Sequence, residues 1–586
     1  MDGFYLGAFG NNSYNRHHPK SPSVRQFDSR MPTADSITKE FVITSDMNIF
    51  KWRTLVLILT LLATINFNTA AQQTSKTRKT DRPNIIVILA DDMGFSDIGC
   101  YGGEIPTPNI DMLANKGLRF SQFYNNARCC PTRASLLTGL FPHQAGIGRM
   151  SEDPEDPKAN DEGTDGYRGY LTKNSVTISE ILKTGGYHTY MSGKWHVGMH
   201  GKEKWPLQRG FDKFYGILSG GSSYLKPFPP RGITSGNSDP QYDFPDDFYT
   251  TNAFTDNAIS FISEQKDTKP FFLYLAYTAP HWPLQAQEKD IALFQDKYLV
   301  GWDSVKHERL RKQTAMGLNK PEWGLAQKEM RPWKELNAAE QKDVAYRMSV
   351  YAAQVYRMDQ NIGKLLAALK KDNKLDNTLI VFLSDNGACG EPYQELGGKA
   401  QEEVNDPGKF WLVSYGTGWA NTSNAPFKKW KNSTYEGGIA APFIAYWPNG
   451  IKEKSGKWST TPHHIIDLLP TLIDIAGAKY PDSFNGSTVI PSEGLSMLPD
   501  FTKGDTKTHD YMYWEHEENC AVRHGNWKGI KRLPAGKWEL YDLELDRTER
   551  NNVADLHPDV VKDLNDKWQT WADTHKVFPK GSRYTR

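Results

Sequence analysis

The 586-residue chain has 38% hydrophobic and 24% charged residues, a globular composition that excludes a disordered polymer. It is also too long for one ordinary core, so a large domain with a smaller companion is expected. With 70 Lys and Arg against 69 Asp and Glu, the formal net charge of +1 gives no electrostatic basis for nucleic acid or an anionic membrane as partner, and any anion preference must come from a local site.

In chain order, the polar residues 1–46 show no clear periodicity. They precede "MNIFKWRTLVLILTLLATINFNTAAQQ", which has a basic start (Lys51, Arg53), an apolar run from Leu55 to Ile65 and small residues at Thr69 and Ala71. This reads as a secretory signal over 47–71, with an apolar run too short to span a bilayer. Translation is then expected to begin at Met47 and the mature protein near Gln72, which makes 1–46 a non-structural upstream extension and the product an exported, periplasmic or secreted protein.

From Asn84 onward, short apolar runs alternate with helical patterns, the signature of a mostly parallel sheet covered by helices on both faces. Each run stops at polar residues of a particular kind. "NIIVILA" ends in Asp91 and Asp92, "GYHTYMSG" in Lys194 and His196, "PFFLYLAYTAP" in His281, and "TLIVFLS" in Asp385 and Asn386. Ligands of open α/β sheets bind outside the carboxyl ends of the strands, so these residues are candidates to meet in one crevice. Val344 to Leu366 repeats at helical spacing and reads as a long covering helix. Tyr215–Tyr249 and Glu288–Trp333 lack clean periodicity and read as long loops that shape a pocket. After residue 479 the pattern becomes short antiparallel strands, then a helix with Val561, Leu564, Trp568 and Trp571 on one face. The expected division is 82–479 and a small α+β region, 480–586.

Asp91, Asp92, Asp385 and Asn386 all offer oxygen donors, and three carboxylates brought together would repel unless a cation sat among them. An all-oxygen set suits a hard ion such as Ca²⁺ or Mg²⁺. Taken singly, each pair is equally a capping or turn feature. The five cysteines (Cys100, Cys129, Cys130, Cys389, Cys520) are an odd number without a CxxC pair, which argues against a disulfide scaffold and a zinc site. In "NNARCCPTRASLLTG", Pro131 suits a first helical turn and places Cys129 and Cys130 at a helix N-terminus near Arg133, where a thiol is acidic. Their alternative is two ordinary small core residues.

"CCPTRASLLTG" carries Cys129, Pro131 and Arg133 in Cys-x-Pro-x-Arg order, and it resembles the signature of the type I sulfatases. "DRPNIIVILADDMGFSDIGCYGG", "GYHTYMSGKWHVG", "AYTAPHWPLQA", "FLSDNG", "YEGGIAAPFIAYWP" and "ELYDLELDRTERNNVA" stand in that family's order. From about Arg82 to Phe578 the chain is similar to bacterial arylsulfatases. The resemblance implies an alkaline-phosphatase-like α/β fold with a large, mostly parallel mixed sheet between helices and a small C-terminal α+β domain. It implies hydrolysis of a sulfate monoester, with a sulfated carbohydrate favoured over an aryl sulfate. It further implies Cys129 oxidised by a formylglycine-generating enzyme to 3-oxoalanine (formylglycine), whose hydrate is the nucleophile, and Ca²⁺, less often Mg²⁺, on Asp91, Asp92, Asp385 and Asn386.

Arg133 would position the nucleophile, while Lys194, His196, His281 and Lys431 surround the sulfate. Of these, His281 is expected to protonate the leaving alcohol and His196 to deprotonate the second hydroxyl. Lys431 is chosen among Lys428, Lys429 and Lys431 by its distance from Glu436. Thr132 in place of the usual serine and Ala440 in place of arginine depart from the pattern. The alternatives are a phosphonate or phosphodiester hydrolase of the same superfamily, or a degenerate binder of sulfated glycans.

Overall fold

Eight residues, Asn84–Asp91, form the central strand β1, whose side chains alternate between two cores. The structure, a computed structural model, describes residues 82–578 except 152–153, 157, 328, 399–400, 409–412, 503 and 534–535; the expected extension and signal segment lie outside the described residues. The remaining strands of the main sheet are β2 (Leu118–Phe120), β3 (His188–Lys194), β4 (Lys213–Ile217), β5 (Thr234–Ser235), β6 (Phe271–Pro280), β7 (Thr378–Ser384), β8 (Phe443–Tyr446) and β9 (Lys457–Ser459). Their order is β9-β2-β8-β7-β1-β6-β3-β4-β5. The five strands β7, β1, β6, β3 and β4 run parallel, and β8 and β5 are antiparallel to their neighbours. The sheet is thus mixed with a parallel centre, and its four central strands are those whose ends carry the candidate residues.

Helices cover both faces: α1 (Pro108–Lys116), α2 (Cys129–Thr138), α3 (Ile178–Thr184), α4 (Thr250–Ser263), α5 (Trp302–Ala315), α6 (Ala338–Lys371), α7 (Gly416–Ser423) and α8 (Leu468–Ala476). Ile86, Ile88 and Ala90 of β1 share one core with α4 and α6, and Ile85, Val87 and Leu89 share the other with α2, α3 and α8. This burial contributes roughly 1.5–3 kcal/mol per large apolar side chain, enough in sum to offset the several kcal/mol per ion that it costs to keep carboxylates dry at the strand's end.

The covering helix expected at Val344–Leu366 is longer, 34 residues, because Asn337 and Glu340 build a capping box at its start. Glu288–Trp333, expected as loop, contains α5. Its inward residues are Trp302, Val305, Lys306, Arg309 and Gln313, mostly polar, so no apolar period marked it. Arg309 instead pairs with Asp97 (2.7 Å) and Glu104 (2.8 Å).

Toward the C-terminus, β10 (Tyr511–His516), β11 (Asn519–His524), β12 (Trp527–Arg532) and β13 (Glu539–Asp542) form an antiparallel sheet in sequence order. Helix α9 (Pro558–Thr574) lays Leu564, Trp568 and Trp571 against it, with Val561 partly buried. The sheet is tied to the rest: Trp514 donates its indole N–H to the Asn125 carbonyl (2.8 Å), and Thr434 its hydroxyl to that of Cys520 (3.2 Å). Among the described residues no helix is long and apolar enough to cross a membrane.

Candidate active site

Because β7, β1, β6 and β3 are parallel neighbours, their carboxyl ends deliver Asp385 and Asn386, Asp91 and Asp92, His281, and Lys194 and His196 to one edge of the sheet. At the end of β6 the register with β1 shifts, Leu89 opposing Ala276 and Asp91 opposing Pro280, and the slack carries His281 back toward Asp92. Asp92 (φ 65°) and His196 (φ 57°) both lie in the left-handed region, a conformation that the surroundings must enforce.

Lys431 arrives from a loop outside the sheet. Its amide donates to the Ala388 carbonyl (3.0 Å), and behind that loop the Gly437 carbonyl lies 1.8 Å from where a Cβ on Gly387 would be. Only glycine lets the strand end of Asp385 and Asn386 approach the turn that follows Lys431.

All ten sequence-expected residues meet here, and all are buried. Lys194 Nζ donates to Asp91 Oδ2 (2.7 Å) and Lys431 Nζ to Asp92 Oδ2 (2.9 Å). Arg133 donates to Asp385 Oδ2 (2.8 Å) and to the Lys194 carbonyl (3.2 Å), and lies 3.4 Å from Asp91 Oδ1. Asn386 Nδ2 donates to Asp92 Oδ1 (2.6 Å), and the Asp92 amide to Asp385 Oδ1 (3.1 Å). His281 Nε2 lies 3.3 Å from Asp92 Oδ2 and 3.5 Å from Lys431 Nζ.

Burial raises Asp91 against the pull of Lys194 and Arg133; burial together with the Asp91 charge pushes Asp385 up to about 8. Asp92 is held below the ordinary carboxylate range, since Lys431 and His281 outweigh its own burial. The donor set fits a hard cation. Asp91 Oδ1 and Asn386 Oδ1 are buried with no hydrogen-bond donor, and acceptors left so at a cluster of three carboxylates suit a divalent ion bound through oxygen.

Cys129 opens α2, every residue of which is buried. Burial alone would raise its thiol, but a hydrogen bond with Cys130 and the charges of Lys194 and Lys431 hold it well below the usual range. Ligand atoms of Cys129, Cys130 and His196 lie within 4.8 Å of one another. Burial lowers His196 and His281 to about 4, which leaves both rings neutral near pH 7. His281 Nδ1 sits 2.5 Å from the Trp282 carbonyl, an oxygen that only accepts, so Nδ1 carries the proton and Nε2 faces Lys431 with its lone pair.

Two neighbours escaped the sequence reading. Glu391 lies 3.4 Å from Lys431 and 2.6 Å from Arg128, and these cations, opposing its burial, hold it well below the usual range. Arg128 precedes α2, and its guanidinium also donates to the Tyr393 hydroxyl (3.3 Å). Glu391 sits in an irregular loop, where neither strand end nor period singles out one carboxylate; Arg128 had only its nearness to the Cys-x-Pro-x-Arg stretch as a signal.

Comparison with known proteins agrees with this geometry. A family model described as sulfatase matches residues 83–478, and one described as N-sulphoglucosamine sulphohydrolase, C-terminal, matches 428–573. The chain is 34% identical over 530 residues to an uncharacterized sulfatase of Schizosaccharomyces pombe, covering 84% of this chain and 94% of that one. It is 37% identical over 434 residues to an arylsulfatase of Klebsiella aerogenes, covering 71% and 91%. A crystal structure of Ps i-CgsB in complex with k-i-k-neocarrahexaose superposes with a TM-score of 0.62 at 28% identity, covering 84% of this chain and 93% of that one.

Proposed function

Because the chain belongs to the sulfatase family and is a sulfate-ester hydrolase by that membership, we propose that its substrate is a sulfated carbohydrate, cleaved by a formylglycine formed from Cys129 beside a bound Ca²⁺. The observation that carries this reading is the meeting of Lys194, Lys431, His196 and His281 around residue 129, with three carboxylates behind them. A sulfate monoester is an anion whose charge must be gathered before it can be displaced, and two buried lysines supply that where water cannot screen them. Asp91, Asp92, Asp385 and Asn386 would hold Ca²⁺. The hydrated aldehyde would supply an attacking oxygen plus a second hydroxyl with which to expel sulfate, and the metal would add positive charge beside it.

The remaining work falls to the chain's own groups. Arg133, held between Asp385 and the Lys194 carbonyl, fixes the carboxylates relative to the start of α2. Asp385, in the ionised form that a neighbouring divalent cation would favour, accepts the proton of the attacking hydroxyl. His281 donates from Nε2 to the leaving oxygen. That ring is neutral when it faces only Lys431 and Asp92, and the incoming sulfate, as an anion, favours the imidazolium that the step requires. His196 takes the second hydroxyl's proton. The neocarrahexaose held by the Ps i-CgsB relative supports a sugar substrate, and the apolar segment 47–71 supports export.

The test is the mass of the peptide spanning Asn125 to Arg133 in active protein, with turnover of paired sulfate and phosphate esters. Loss of the thiol mass at Cys129 and preference for sulfate are expected. An intact thiol in fully active protein would overturn the nucleophile, and preference for phosphate would overturn the substrate class.

A further inference from the structure

A cavity of about 790 Å³ opens beside Lys431, between the loop that carries it and the C-terminal sheet. Trp430 borders it on one side and Trp538 on the other, and β12 with the segment after it contributes Lys531, Arg532 and Lys537. Lys531 Nζ stands 5.9 Å from the centre of the Trp538 ring. Three carboxylates also reach the cavity, Glu517, Glu539 and Asp555. Of these, Glu539 accepts hydrogen bonds from the Tyr435 hydroxyl (2.6 Å) and the Tyr541 hydroxyl (2.5 Å). Lys429 is engaged by Glu329 at 2.8 Å. Among the described residues no carboxylate pairs with Lys531, Arg532 or Lys537.

Indole faces next to uncompensated cations suit one chemistry: sugar rings that stack, carrying anionic substituents that ion-pair. We propose that this groove binds the neighbouring units of a polyanionic oligosaccharide whose one sulfate ester lies at Lys431, so that a second sulfate or carboxylate on an adjacent ring meets Lys531 and Arg532. The inference rests on the sulfatase reading and names the substrate class more narrowly: a multiply charged chain, at least one unit longer than the ring being desulfated. Lys431 is both a wall of the groove and a donor to Asp92, which makes cavity and reaction centre continuous. Apart from Lys431, the cations Lys531, Arg532 and Lys537 that charge the groove come from a part of the chain that supplies none of the reacting groups.

The experiment uses the full chain with Cys129→Ala, so that nothing is hydrolysed. Affinities for a κ-carrageenan hexasaccharide, a heparin hexasaccharide and D-galactose 4-sulfate are measured by calorimetry, with and without Lys531→Ala and Arg532→Ala together. At least one hexasaccharide should bind tenfold or more tightly than the monosaccharide, with an affinity that falls as salt rises, and the double substitution should remove that advantage. Hexasaccharides no tighter than the monosaccharide, or an advantage that survives the double substitution, would overturn the proposal. Circular dichroism of the double variant excludes misfolding as the cause. Turnover of 4-nitrophenyl sulfate by the unsubstituted enzyme is read separately, so failure of the sulfatase reading and failure of the groove are distinct results.

Discussion

Glu436, Glu549, Lys528 and Arg547, where the C-terminal sheet meets the turn that follows Lys431, are as buried as Asp91, Asp92, Lys194 and Lys431. Both groups place carboxylates against cations away from water, yet they are built differently. In the first, every carboxylate oxygen has a donor. Lys528 Nζ bridges Glu436 Oε1 and Glu549 Oε1, both at 2.8 Å; Arg547 Nε (3.0 Å) and the Tyr124 hydroxyl (3.0 Å) serve Glu436 Oε2; the Glu436 amide (2.8 Å) serves Glu549 Oε2. In the second, Asp91 Oδ1 and Asn386 Oδ1 have none. Buried charge alone therefore does not mark a site. Acceptors left without donors distinguish a set made to receive something from one that holds two parts of the fold together, whereas backbone strain does not, since Glu549 (φ 56°) and Asp92 (φ 65°) both lie in the left-handed region.

The largest effect that would sharpen this contrast is on activity. Cys129→Ala should lower kcat/KM by at least ~10⁴-fold while thermal unfolding moves by only a few degrees, and retained turnover would show that residue 129 is not the nucleophile. The reverse pattern is expected of Lys528→Met. It strands two buried carboxylates and should destabilise the fold by about 3–5 kcal/mol, read in urea unfolding; a loss of activity with no loss of stability would break the comparison.

A third buried ion set, His463 between Asp500 (2.8 Å) and Asp467 (3.4 Å), should behave like the structural one. Burial opposes its charge, but both aspartates raise it to about 9, above the ordinary value of 6.5. A raised basic group contributes stability that is full below pH 6.5 and is lost as pH rises through 9. Melting should thus weaken over that window by on the order of 3 kcal/mol at most, and His463→Gln should flatten it. The smallest effect concerns the orphaned oxygens: added Ca²⁺ at a hundred times its dissociation constant should stabilise the protein by about 2.7 kcal/mol, and Asp92→Asn should abolish the gain. No shift with Ca²⁺ or Mg²⁺ would remove the cation from the site.

Much of this was legible in the sequence because parallel strands end in polar residues for a reason. "NIIVILADD" is apolar where two cores sandwich it and acidic where they stop, and the same holds for "TLIVFLSDN". Lys431 needed the family pattern, since three lysines within four residues look alike until one is buried. Helix α5 was illegible because Arg309 and Gln313 face inward as hydrogen-bonded polar groups, which a hydrophobic period cannot reveal. Glu391 and the groove cations belong to irregular segments or strand margins, where position depends on distant packing and not on local pattern.

The anchoring of Glu436 also bears on timing. Its partners Lys528, Arg547 and Glu549 are made after it, and Glu549 follows it by 113 residues. At ordinary ribosomal speed, on the order of 10 s pass before they emerge. Until then the Glu436 carboxylate in the turn behind Lys431 lacks its cations, while Lys431 already has Asp92, Glu391 and the Ala388 carbonyl to hold it, so the centre's own contacts can form before the anchor beneath them is complete.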